Sequence, residues 1–434
     1  MKDKKQQNPG PAASPRFHYA WIILAACCLM QSAITGVVQN GRGIFYVPVC
    51  TELGIETSAF TLYSLFHGIG SFLCLPLTAR FYNRVHPRIA LSLAAAVFCG
   101  TTALMGSFST LPAFYTLGFL QGVGGSLLVF FVCPILINNW FKAHYGFAMG
   151  LYAAFSGLAG VVVNPLLSAV IESAGWRTGY RVQGLLAFAL ALPAALLIRS
   201  RQPEEAGLMR LGEQGAETRD PEKEAGRAAE EAAVTAAPAT VLEKRILVWV
   251  LIFTLFSSVV NAYCQHIAKY ASSIGLAPAV GALLVSCSMA GNIGSKFGIG
   301  ALNDKIGAKK ALLIGALAVI LGFSGMILFA GTFLLYPAAV LSGVCMPLCS
   351  LCIPMLAKHL YPPARYRKFF PKVTMLTTLA SSAGITVLSL LYEIWDSYVP
   401  VFLLGITFTV ICVVSILASD RLKKSGEAGI EKTG

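Results

Sequence analysis

Charge is what this chain has least of. Only 12% of its 434 residues are Asp, Glu, Lys or Arg, about half the share of a typical soluble domain. That excludes a conventional soluble enzyme or binding domain. Catalytic fingerprints are missing too: there is no P-loop, no dinucleotide glycine motif, no His-rich cluster and no serine or cysteine with a plausible base. We therefore expect no enzyme, no cofactor and no metal. Twelve cysteines are present, but Cys27, Cys28, Cys99, Cys133, Cys287 and Cys412 fall in apolar runs, where Cys acts as a small hydrophobe. Cys345, Cys349 and Cys352 stand at helical spacing, suited either to a soft metal or, as we read them, to close helix contact.

Apolar sequence fills the gap. Hydrophobic residues make up 56% of the chain and the mean hydropathy is +0.69, concentrated in runs of about 20 residues, the length that crosses a bilayer. Turn and charge punctuation predicts twelve helices, over 18–47, 59–80, 88–108, 112–139, 145–172, 178–199, 245–270, 278–302, 309–330, 333–358, 367–393 and 397–419. The fold class expected is an all-α membrane protein with twelve transmembrane helices in two six-helix bundles. The longest runs exceed what a perpendicular span needs, which implies tilt.

Lys and Arg in short loops set the orientation. One side receives Lys2, Lys4, Lys5, Arg16, Arg80, Arg84, Arg88, Lys142, Lys305, Lys309, Lys310, Arg365, Arg367, Lys368, Arg421, Lys423 and Lys424. The other holds Glu52, Glu56, Glu172, Glu393 and Asp396 against few cations, chiefly Arg177. Both termini are thus expected in the cytoplasm, and topology rather than nucleic-acid binding accounts for the net charge of +13. The polar basic arm 1–17 leads into a full-length span with no cleavable signal evident, so the first helix should be retained. Residues 200–243 hold ten of the twenty acids and read as a cytoplasmic linker. They divide an N-terminal bundle, 18–199, from a C-terminal bundle, 244–420, followed by a cytoplasmic tail, 421–434.

The halves repeat. "RFYNRVHPR" (80–88) and "LNDKIGAKK" (302–310) follow the second helix of each half, with Asn83 of the first loop answering to Asp304 of the second. At the same offset "GVGGS" (122–126) meets "GVCMP" (343–347) in each fourth helix. Such a duplication suits two bundles rocking around a central site.

The loop Gly300-x-x-x-Asp304-Lys305-x-Gly307-x-Lys309-Lys310 resembles the signature loop of the major facilitator superfamily. In the first copy, Ala79 and Asn83 stand where the family has glycine and aspartate, while Arg84 and Arg88 remain. The resemblance implies that Asp304, Lys305, Arg84 and Arg88 gate the cytoplasmic ends of the helices. Within the superfamily, "NNWFKAHYGFAMGLYAAFSGLAG" (138–160), "GFLQGVGGS" in the fourth helix and "RQPEEAGL" (201–208) are similar to the monocarboxylate transporters and the oxalate:formate antiporters. That likeness puts Lys296, four residues before Gly300, at the register of their substrate-binding arginine. Asn292 stands where proton-coupled monocarboxylate carriers have aspartate, and Thr374 where the oxalate carrier has a second cation.

A lysine in mid-span costs about 2.5–3.5 kcal/mol. Lys296 lies eight residues before Asp304, roughly 12 Å along a helix, with no acid before Asp304 on its helix. It either snorkels to the interface or faces a central cavity and binds an anion, and we expect the anion. Arg42, flanked by Gly41 and Gly43, either joins that clamp or pairs with Glu52 or Glu56. The glycines would allow local unwinding there. Gln39 and Asn40 offer neutral hydrogen bonds on the same turn. Tyr263 is the expected cavity contact of the seventh helix, with His266 nearer the outer interface. His67 and Asn164 are the remaining candidates for substrate contact.

The acids outside the linker are Asp3, Glu52, Glu56, Glu172, Asp304, Glu393, Asp396, Asp420, Glu427 and Glu431, all in tails, loops or helix ends. A carboxylate relay through the midplane has no residue, leaving His67 or a titrating Lys296 if protons are coupled. The expected function is secondary active transport of a small organic anion, a mono- or dicarboxylate, across the inner membrane by alternating access, as exchanger, uniporter or proton symporter. Rivals are an efflux carrier for a hydrophobic compound and a non-transporting solute receptor. The expected partners are the carboxylate and the lipid bilayer, without nucleic acid, and the unit is a monomer.

Overall fold

A computed structural model describes residues 18–128, 132–141, 144–198, 202–212, 240–361 and 363–431. The basic arm and residues 213–239 of the expected linker lie outside them. Among the described residues nine helices are long and apolar enough to cross a membrane, or ten if the bent pair Leu335–Ser350 and Cys352–Leu360 forms one span.

Helix ends follow local chemistry. Gly54, at φ 63°, closes Tyr46–Leu53 in the left-handed conformation that glycine adopts freely. Pro87 sits in the first turn of Pro87–Met105, where a missing N–H costs nothing. Thr240 and Glu243 form a reciprocal capping box that starts Val241–Ala262. Pro278–Ile306 runs past the expected end at 302, so Asp304 and Lys305 occupy its last turn rather than a loop, and Gly307 at φ 84° makes the turn into Ala308–Leu328. The final helix continues through Glu431, beyond the expected start of a tail at 421. Two helices meet end to end within Tyr145–Leu197, broken at Gly175, where φ 79° and ψ 163° are non-helical. The 53 residues would extend about 80 Å if straight, far beyond one bilayer, and Gly175 falls in the break expected between 172 and 178.

The repeat read in the sequence recurs as geometry. A Cβ on Gly70 would lie 2.3 Å from the Phe119 carbonyl oxygen, and one on Gly291 would lie 1.8 Å from that of Val340. A Cβ on Gly122 would lie 2.1 Å from the His67 carbonyl oxygen, and one on Gly343 would lie 1.9 Å from that of Ser288. Each of these residues is separated from its counterpart by the same offset that relates Asn83 to Asp304. In both halves, glycine is what lets the second and fourth helices touch backbone to backbone.

Between the halves, hydrogen bonds among the described residues run from mid-span to the end remote from the termini. Lys296 reaches Ala153 and Ser156; Ser286 Oγ donates to the Val161 carbonyl at 3.2 Å; Thr61 Oγ1 bonds Ser389 Oγ at 3.2 Å; Ser58 N–H donates to Glu393 Oε1 at 2.8 Å; Lys269 Nζ donates to Thr57 Oγ1 at 2.6 Å. Toward the termini, Gly294, Gly298 and Gly300 face open space. On that side, buried Asp420 gathers Lys309 Nζ at 2.8 Å and His359 Nε2 at 3.2 Å within the C-terminal half.

Candidate functional site

The helical runs 20–53 and 241–273, the first and seventh of the expected helices, both break along their length. Ala20–Gln31 is α-helical, Ser32–Gln39 widens to π-type, and Arg42–Phe45 tightens to 3-10 before Tyr46–Leu53. At the end of the π-type segment the Asn40 N–H donates to the Thr35 carbonyl at 2.8 Å. Val241–Ala262 passes through a 3-10 turn, Tyr263–Gln265, into Ile267–Ser273. Such defects expose and rotate backbone groups and mark functional sites. The glycines serve this region by size rather than by positive φ: a Cβ on Gly43 would fall 2.1 Å from the Gln265 carbonyl oxygen.

Lys296 is half-buried and crosses to the other half of the molecule. Its Nζ donates to the Ala153 carbonyl at 2.9 Å and to Ser156 Oγ at 3.3 Å. The Ser156 carbonyl also accepts from Asn40 Nδ2 at 3.1 Å, so the cation and the break in the first helix share one residue of the fifth. No carboxylate pairs with Lys296 among the described residues. Neutral oxygens alone hold the charge, an arrangement an incoming anion would complete.

Arg42 is 7% exposed. It donates to Gln121 Oε1 at 2.8 Å, and Gln121 in turn donates to Thr102 Oγ1 at 2.7 Å. The guanidinium lies 5.8 Å from the Tyr63 ring centroid. Glu52 is engaged elsewhere, with Arg177 and with Trp176 Nε1. The alternative of an Arg42–Glu52 pair is therefore not what this structure holds.

Asn164 is fully buried, and both polar atoms of its amide lack a partner among the described residues. It lies beside Gly41. His67 is buried against Phe98, with Nδ1 unpartnered, and Asn292 is buried with Oδ1 unpartnered. Unsatisfied buried polar atoms cost about 1–3 kcal/mol each, which a polar ligand would relieve. Gln39 ends the π-type segment, half-buried.

Tyr263 is placed differently from the expectation. Its hydroxyl donates to the Val401 carbonyl and its ring packs on Phe323 and Phe402, inside the C-terminal half. His266 is also deep: Nδ1 meets Tyr398 Oη at 3.2 Å and Nε2 meets the Ile385 carbonyl at 3.0 Å. Asp304 is exposed, with Asn303 as its bonded neighbour, and among the described residues it joins no ion pair. Lys305 and Arg84 are exposed, and Arg88 lines a groove between the third and sixth helices. Sequence reasoning missed Ser156 and Gln121, whose side chains are common and carry no spacing signal. It also missed the far-side contacts of Lys269 and Glu393.

A model of the Major Facilitator Superfamily matches residues 20–370 and 266–432. The chain is 28% identical over 319 residues to the oxalate:formate antiporter of Oxalobacter formigenes, covering 71% of this chain and 68% of that protein. It is 26% identical over 190 residues to monocarboxylate transporter 12 of Rattus norvegicus, covering 43% and 38%, so that match spans well under half of the relative. A probable L-galactonate transporter of Escherichia coli is 30% identical over 157 residues, covering 36% of this chain and 33% of that protein. Among solved structures, the nucleoside transporter NupG superposes with a TM-score of 0.67 at 12% identity, covering 93% of this chain and 100% of that one. A D-xylose-proton symporter superposes at 0.65 and 15%, covering 93% and 97%. At these identities the structures speak to fold alone. By the extent of the family match, the chain belongs to the Major Facilitator Superfamily.

Proposed function

We propose that this protein carries a small organic anion, a mono- or dicarboxylate, across the inner membrane by alternating access between two six-helix bundles, with both termini cytoplasmic. The observation that carries the reading is Lys296, a cation within an apolar helix that bridges the halves through neutral oxygens and, among the described residues, no acid. Intramembrane cations normally meet a counter-charge, and here the substrate carboxylate supplies it. Relatives named for oxalate, formate, monocarboxylates and galactonate support the substrate class.

Twelve spans follow if Tyr145–Leu197 counts as two, the bent 335–360 pair as one, and Leu111–Leu127 with Cys133–Trp140 as another. In this reading the closed end is extracellular and the carrier faces the cytoplasm. Asp304, Lys305, Arg84 and Arg88 gate in the opposite state, which agrees with an Asp304 that joins no ion pair among the described residues here. Substrate sits on Lys296, with Asn40 and Arg42 from the first helix and Asn164, Asn292 and His67 around it. Loading brings the site nearer neutrality and lowers the cost of closing both bundles round it. An empty Lys296 resists occlusion, which favours exchange over net flux.

The test is counterflow of labelled lactate, pyruvate, oxalate and formate in proteoliposomes. Lys296→Gln should abolish exchange of the accepted carboxylate, while Lys296→Arg retains a measurable part. Wild-type exchange by the Gln variant would refute the anion site. Flux that ignores an imposed pH gradient would remove proton symport.

A further inference from the structure

A groove of about 480 Å³ runs between the third and sixth helices, on a face made by the N-terminal half alone. Arg88, Ile89, Ser92, Leu93 and Ala96 form one wall, and Phe188, Leu192 and Leu196 the other. It is shallow and open along its length, a surface groove rather than an enclosed cavity. Ile89 is 62% exposed and Leu93 54%, so the groove opens toward hydrocarbon, away from the path between the bundles.

Polarity is confined to one end. Arg88 and Ser92 lie one helical turn apart, and both belong to the first turns of Pro87–Met105, the positive end of that helix. Arg88 Nε and Ser92 Oγ have no hydrogen-bond partner among the described residues. Among the described residues the fold therefore leaves the buried Arg88 Nε and Ser92 Oγ without a partner at one end of an otherwise apolar slot. Arg84 adds charge on the same side. Basic sites between spans, at headgroup depth, suit anionic lipids.

We propose that this groove is a binding site for an anionic phospholipid. Its phosphate sits on Arg88 and Ser92, and one acyl chain lies along Leu93, Ala96, Phe188 and Leu192. The site lies outside the path between the halves.

Native mass spectrometry of the full chain, with phosphatidylglycerol and phosphatidylcholine at equal concentration, tests it. Phosphatidylglycerol adducts should exceed phosphatidylcholine adducts about fivefold, the effect of one cation near the headgroup. Arg88→Gln should bring that ratio to near one, while Arg84→Gln leaves it above three. Ala96→Trp, which fills the slot from its exposed side, should remove the retained lipid without touching the arginine, and it serves alone if Arg88→Gln does not fold. Equal binding of the two lipids, or an unchanged ratio in Arg88→Gln, overturns the proposal, as does retention of the adduct by Ala96→Trp.

Discussion

Arg42 and Tyr263 are equivalent positions of the repeat, related by the offset that joins Asn83 to Asp304, and each opens the 3-10 turn that breaks the first helix of its half. The shared break is a property of the duplicated backbone, while the side chains have parted company. Arg42 ties to Gln121 by a charged hydrogen bond, and Tyr263 ties to the Val401 carbonyl. One half keeps a buried cation at this position and the other a satisfied phenol.

Tyr263→Phe should accordingly act on stability rather than on substrate. Loss of a neutral buried hydrogen bond costs about 0.5–1.5 kcal/mol, read as a lower melting temperature in detergent, with KM for the transported carboxylate within about twofold of wild type. A tenfold rise in KM at unchanged melting temperature would mean that the hydroxyl reaches substrate.

Gln121→Leu removes the acceptor of Arg42 and leaves a buried guanidinium short of a partner. Hydrogen bonds to charged groups contribute about 1.5–3 kcal/mol, so thermal stability should fall by that order. Gln121→Glu supplies a carboxylate instead. If Arg42 belongs to the anion site, this variant should cut carboxylate exchange at least tenfold while remaining folded. Full exchange by Gln121→Glu would separate Arg42 from the substrate.

Gly43 and Gly300 offer a matched pair. A methyl at Gly43 collides with the Gln265 carbonyl, whereas one at Gly300 meets nothing within 4 Å. Gly43→Ala should block close approach of the first and seventh helices and reduce transport severely. Gly300→Ala should leave the folding of this state near wild type and impair transport less than Gly43→Ala. Equal transport by the two variants would show that the approach at Gly43 is not needed for the cycle.

The far-side seal includes bonds of Lys269 to Thr57, Thr61 to Ser389 and the Ser58 N–H to Glu393, and within the C-terminal half Lys269 also lies 4.2 Å from the Tyr392 ring. Lys269→Ala combined with Glu393→Ala should shift the population toward a state open at that end. Half-buried Cys50, in the neighbouring helix Tyr46–Leu53, is a native probe. Its labelling by an impermeant maleimide from that side should rise several-fold, and an unchanged rate would show that other contacts hold the seal.

Much of the fold was legible because hydrocarbon imposes simple rules. Apolar runs must be helical, cations collect on one side, and a duplicated sequence repeats its glycine contacts. Gly175 fell in a predicted break, and Gly70, Gly122, Gly291 and Gly343 make the same approaches in both halves. The site was only partly legible. Lys296 stood out because a cation inside an apolar helix has no cheap explanation. Tyr263 was misplaced because helical position fixes a direction only while the helix is regular, and this residue opens a 3-10 turn.

The sequence by itself determined that the chain lives in a membrane, where most of its helices run, how its halves correspond and that one lysine is out of place. Tertiary structure alone decided what that lysine meets. Ala153 and Ser156 lie far away along the chain, in the other half, and they are brought to Lys296 by packing between the halves. Packing also decided that Arg42 turns to Gln121 rather than to Glu52, because Arg177 and Trp176 already hold that carboxylate. Counter-charge in a low-dielectric interior is assigned by distance in space, and no spacing along the chain encodes it.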